Sequence, residues 1–90
     1  MNARKVREVL VIYRTKFEEL GILPRKLPHN ELPKTDNDCL AHCYGMLDEM
    51  EVFMQEGRME KGFRWLGFIQ GCLYTTGVYT LEEMKNHNRP

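Results

Sequence analysis

Three prolines, Pro24, Pro28 and Pro33, stand in the stretch ILPRKLPHNELPKT, residues 22–35, and limit the fold more than any other feature of the chain. Each lacks an amide proton and disfavours helix at the residue before it, so no continuous helix can run through this stretch. It reads as a stiff basic loop carrying Arg25, Lys26, His29 and Lys34. The sequence on either side must then form separate elements, and both sides have helical rather than alternating periodicity.

Residues 3–20 place Val6, Val9 or Leu10, Tyr13, Phe17 and Leu20 at three- and four-residue spacing, which predicts a first helix ended by Gly21. Thr35 can cap a second helix, with Asp36 and Asp38 beside the positive end of its dipole. Its apolar stripe is Leu40, Cys43, Leu47, Met50 and Met54, widened by Met46 and Phe53, and Gly57 closes it. A third helix is expected over about residues 58–76, and the short connection makes helices 2 and 3 an antiparallel hairpin. Past Gly77, Thr80 and Glu83 form a capping-box pair, with Tyr79 placed to staple onto Met84, so a final helix of two turns is expected. The fold class is therefore all-α: a short N-terminal helix, the proline-rich loop, a long antiparallel helical hairpin and a short C-terminal helix. Residues 1–90 form a single helical domain, divided into the helix and basic loop of 1–35 and the hairpin and last helix of 36–90.

In the third helix, FRWLGFIQGCL (63–73) sets Gly67 and Gly71 four residues apart, although each interior glycine costs a helix about 1 kcal/mol relative to alanine. At 100° per residue, Arg64, Gly67, Gly71 and Thr75 share a face. The missing side chains suit close approach of a neighbouring helix or a planar ligand, with Arg64 as an anion donor at its end.

Composition, at 42% hydrophobic and 29% charged residues, is that of a globular protein. The formal net charge is zero, but residues 1–35 hold eight bases against four acids, and residues 36–56 hold six acids and no base. This segregation suits intersubunit charge pairing or a local anion site better than nonspecific binding of DNA or RNA. A 90-residue chain buries only about 60 to 65% of the surface it exposes when unfolded, which favours self-association. The uncharged run 65–81 is short for a bilayer and rich in glycine and threonine, so no membrane association is expected. Three cysteines without a secretory signal read as free thiols in a reducing compartment.

Cys39, His42 and Cys43 crowd one helix, but zinc takes four ligands or three and a water, and Cys43 belongs to the apolar stripe, so packing is the expected role, with no metal or cofactor. The chain has no serine, phosphate-binding glycine loop or paired-carboxylate signature, which argues against an enzyme. Tyr13 lies near Arg14, Lys16, Arg25 and Lys26, an aromatic-plus-cation grouping that suits a nucleotide, although Tyr13 also falls on the core stripe.

The words FRWLGFIQG, GVYTLEEMK and HNRP, with CLAHCYGMLDEME before them, resemble the helical-hairpin domain of bacteriophage anti-CBASS cyclic-oligonucleotide sponges, which is shared with one type of anti-Thoeris sponge. The resemblance covers about half to two-thirds of the chain; the short N-terminal part fits the compact anti-CBASS type. It implies a homohexamer in the cytoplasm of the infected bacterial host. It further implies capture, without hydrolysis, of cyclic dinucleotides of the cyclic GMP-AMP type and trinucleotides of the cyclic triadenylate type. Carried over residue by residue, it assigns dinucleotide binding to Tyr13 and Lys26, with Arg25 as a substitute for the lysine, and trinucleotide binding to Arg64. The other function the residues suit is a small helical protein–protein interaction module.

Overall fold

The computed structural model describes residues Met1–Pro90 and consists of four helices and no strand. They are α1 (Ala3–Glu19), α2 (Asp36–Gln55), α3 (Met59–Thr75) and α4 (Leu81–Asn88). The signals that start and stop them are local. Thr35 accepts from the Asp38 amide at the head of α2, and Thr80 and Glu83 close a reciprocal capping box on α4. At the head of α1 the cap is Asn2, whose side chain accepts from the Lys5 amide. Gly57 follows α2 at φ +74°, left-handed backbone that would strain another residue, and α3 begins two residues later.

Packing follows the stripes. Val6, Val9, Leu10, Tyr13 and Phe17 of α1 are buried, so both Val9 and Leu10 face inward. The buried arc of α2 is wider, from Leu40 and Ala41 through Cys43, Met46, Leu47 and Met50 to Phe53 and Met54, because this helix is covered by α1 on one side and α3 on the other. From α3 come Leu66, Ile69 and Leu73, and from α4 Met84. Each large apolar side chain so buried contributes about 1.5–3 kcal/mol, which is what holds helices this short in place. Gly62 is the α3 glycine that lies against protein: a methyl there would overlap the end of Met54. Gly67 and Gly71 have nothing within 4 Å of where a Cβ would stand. Within the protomer they are therefore not sites of close packing.

The loop between α1 and α2 is laid against α2 by two amides. Arg25 N–H donates to the Ala41 carbonyl at 3.0 Å, and Leu27 N–H donates to His42 Nδ1 at 3.0 Å. Gly45 makes this approach possible. A Cβ on it would stand 3.1 Å from Lys26 Cγ and 3.2 Å from the Arg25 carbonyl oxygen.

No helix is long and apolar enough to cross a membrane.

Candidate ligand-binding clefts

The residues expected to bind ligand divide between the core and two surface clefts. Tyr13 belongs to the core. It has no solvent exposure, and its ring packs against Tyr79 at 5.7 Å and His87 at 5.4 Å between centroids. Gln70 Nε2 donates to its hydroxyl at 2.9 Å, which leaves the hydroxyl proton for His87 Nδ1 at 3.2 Å. Gln70 is itself held by Asn88, at 2.8 Å. Burial pushes the Tyr13 phenol up to about 12, so it stays neutral. Within the protomer no face of this ring is open to a nucleotide, the ordinary consequence of its place on the apolar stripe.

Lys26 and Arg25 do share a cleft, one of about 260 Å³ closed by Arg14 of α1, Pro24 and Tyr44, Gly45 and Asp48 of α2. Its aromatic is Tyr44, half-buried, with its ring stacked on Phe17 at 5.2 Å and its hydroxyl 3.4 Å from Glu18. Every cation here already has a carboxylate: Arg14 with Asp48 at 2.9 Å, Arg25 with Asp38 at 3.7 Å and Lys26 with Glu49. Such solvent-facing pairs are worth about 0–1 kcal/mol, so a ligand phosphate could displace the carboxylates at little cost. The acidic α2 thus faces the basic first third of the same chain. The charge segregation seen in sequence is in good part used within the protomer.

Arg64 lies in a second cleft, of about 390 Å³, with Gly57, Arg58, Met59, Glu60 and Lys61. Its side chain is 66% exposed and its nearest acid, Glu60, is 4.0 Å away. Lys61 Nζ sits 4.6 Å from the Phe53 ring centroid and 5.7 Å from that of Trp65, and the Arg58 guanidinium lies over Phe53 at 5.1 Å. Arg58 heads α3 without a side-chain capping hydrogen bond, so the positive end of the helix opens onto the same cleft. Arg58 pairs with Glu56 at 3.7 Å while Lys61 has no carboxylate within reach, so this cleft, with the head of a helix opening onto it, is the less neutralised of the two. The spacing Arg58, Lys61, Arg64 directly after a helix-breaking glycine is the sequence signal that would have grouped them.

His42, grouped by sequence with Cys39 and Cys43, serves instead as the acceptor that anchors the loop. The two cysteines are joined by Cys72 of α3, which lies far from them in sequence. Hydrogen bonding to Cys72 holds the Cys43 thiol above the ordinary thiol range, while Cys72 is drawn down to about 6 by its bond from Cys43.

No protein-family model matches the chain, and neither does any curated protein or solved structure.

Proposed function

We propose that this protein is a phage anti-defence sponge that binds cyclic di- and trinucleotide messengers without cleaving them, in the cytoplasm of the infected bacterium, and so withholds them from CBASS effectors. The observation that carries this reading is the gathering of cations in the two clefts that hold Lys26 and Arg25 on one side and Arg64 on the other. A cyclic dinucleotide brings two phosphates and two bases. Lys26, Arg25 and Arg14 suit the phosphates and the Tyr44 ring suits a base. Arg64, aided by Arg58 and Lys61, suits a ligand shared among protomers, because three copies about an axis would offer three guanidiniums to the three phosphates of a trinucleotide.

The α3 face that carries Gly67 and Gly71 also exposes Phe63, Phe68 and Tyr74. Exposed aromatics beside two glycines suit close contact between copies, and support a homohexamer built on the α2–α3 helical hairpin. The same face favours one other reading, a helical module that engages a host protein.

Titration calorimetry with cyclic GMP-AMP and cyclic triadenylate separates the two. Heat with either ligand, and recovery of intact nucleotide on denaturing the complex, is expected of the sponge. Absence of heat with both rejects it, and recovery of linear nucleotide would identify a phosphodiesterase instead.

A further inference from the structure

Cys39 and Cys43 lie one helical turn apart on α2, and Cys72 of α3 stands opposite them. The three Sγ atoms lie within 4.8 Å of one another. In tetrahedral zinc coordination, with Zn–S near 2.3 Å, the sulfur–sulfur edge is about 3.8 Å, so these sulfurs need to close by roughly 1 Å or less to hold one ion. They are carried by two packed helices rather than by a loop, which fixes their spacing before any ion arrives. Cys43 is fully buried and forms the floor, while Cys39 and Cys72 are half-buried and line a cavity of about 460 Å³ under the proline-rich loop. A cluster closed on three sides by thiols and open on the fourth to a cavity matches a three-ligand zinc site. Soft sulfur donors select a thiophilic d¹⁰ ion over magnesium or calcium.

Two histidines line the same cavity, and they are not equivalent. Because His42 Nδ1 accepts the Leu27 amide, its proton resides on Nε2 and neither nitrogen is free to ligate. His29 carries no such bond and comes from the loop that roofs the cavity.

We propose that Cys39, Cys43 and Cys72 form a thiolate site for a single Zn²⁺ ion, with the fourth position facing the cavity and filled by solvent or by His29. Loading replaces three thiol protons by one ion, 3 RSH + Zn²⁺ → Zn(SR)₃⁻ + 3 H⁺, and no electrons are exchanged. The ion ties α2 to α3 where the loop crosses them. The proposal needs no nucleotide and stands apart from the sponge reading.

The test uses the full chain, reduced and kept free of oxygen, with Co²⁺ as the spectroscopic probe and Zn²⁺ as competitor. Sulfur-to-cobalt charge-transfer bands and tetrahedral ligand-field bands are expected to saturate at one Co²⁺ per chain and to vanish on adding Zn²⁺. Cys39→Ala and Cys72→Ala, checked for retained helicity by circular dichroism, are expected to bind at least about a hundredfold more weakly, since loss of a direct ligand exceeds the effect of losing a supporting one. His42→Gln is expected to keep the bands. Absence of thiolate bands in the reduced protein, or bands unchanged in Cys72→Ala, would overturn the site. Zinc thiolate absorption that appears only after refolding from denaturant would overturn it as well, since the site is preformed.

Discussion

At the scale of residues, the hydroxyl of Tyr13 separates structure from binding. Tyr13→Phe removes one partner from both Gln70 and His87, and a lost buried hydrogen bond of this kind costs about 1–2 kcal/mol. Denaturant unfolding is expected to show that loss, while calorimetry shows dinucleotide affinity within about twofold of the parent. Tyr44→Ala is expected to do the reverse, weakening the dinucleotide by at least about fivefold, as fits a stacking partner worth about 1–3 kcal/mol per base. A second residue-scale expectation concerns acid. Burial lowers both His42 and His87 below the ordinary histidine value of 6.5. Below that value the unfolded chain takes up protons that the fold resists, so this stability is present above pH 6.5 and is lost as the pH falls through the folded values. Urea midpoints measured at pH 7.5 and 5.5 should therefore fall toward the lower pH, and the His42→Gln, His87→Gln double variant should flatten the difference.

Among the elements, the glycines of α2 and α3 are expected to respond differently to the same change. Gly67→Ala and Gly71→Ala meet open space in a helix and should stabilise an isolated protomer by about 0.5–1 kcal/mol each. Gly45→Ala meets the Arg25 carbonyl and the Lys26 stem, and should lift the loop from α2. Faster hydrogen exchange at the Arg25 and Leu27 amides, together with weaker dinucleotide binding, would register that shift. Nothing in the chain near Gly45 announces the loop, which is why the residue went unremarked in sequence. The helices were legible because their signals are short-range: Thr35, Thr80 with Glu83, and the glycines at 21, 57 and 77 each act within a few residues. The Cys72 partnership with Cys39 and Cys43 was not legible, because it depends on how α3 is rotated against α2. Likewise the apolar stripe placed Tyr13 in reach of the core, but the partners that hold its hydroxyl are 57 and 74 residues away.

For the whole molecule, the proposed sponge requires two kinds of site from one small chain. Arg64→Ala is expected to weaken cyclic triadenylate by about tenfold or more and to spare cyclic GMP-AMP. Lys26→Ala should do the opposite, provided light scattering still reports a hexamer. Equal loss of both ligands in an intact hexamer would contradict the assignment of two sites. The assembly itself is tested by Gly71→Leu, which fills the open α3 face; the expected outcome is a smaller particle whose helical content is unchanged. The bridge from α1 through Tyr13 to Gln70 and His87 has a further consequence, one of timing. A ribosome delivers the first helix long before the last, yet the deepest polar group of that helix finds its partners at residues 70 and 87. The polar closure of α1 therefore waits on residues of α3 and α4, and the four helices are expected to complete as one cooperative unit rather than one by one.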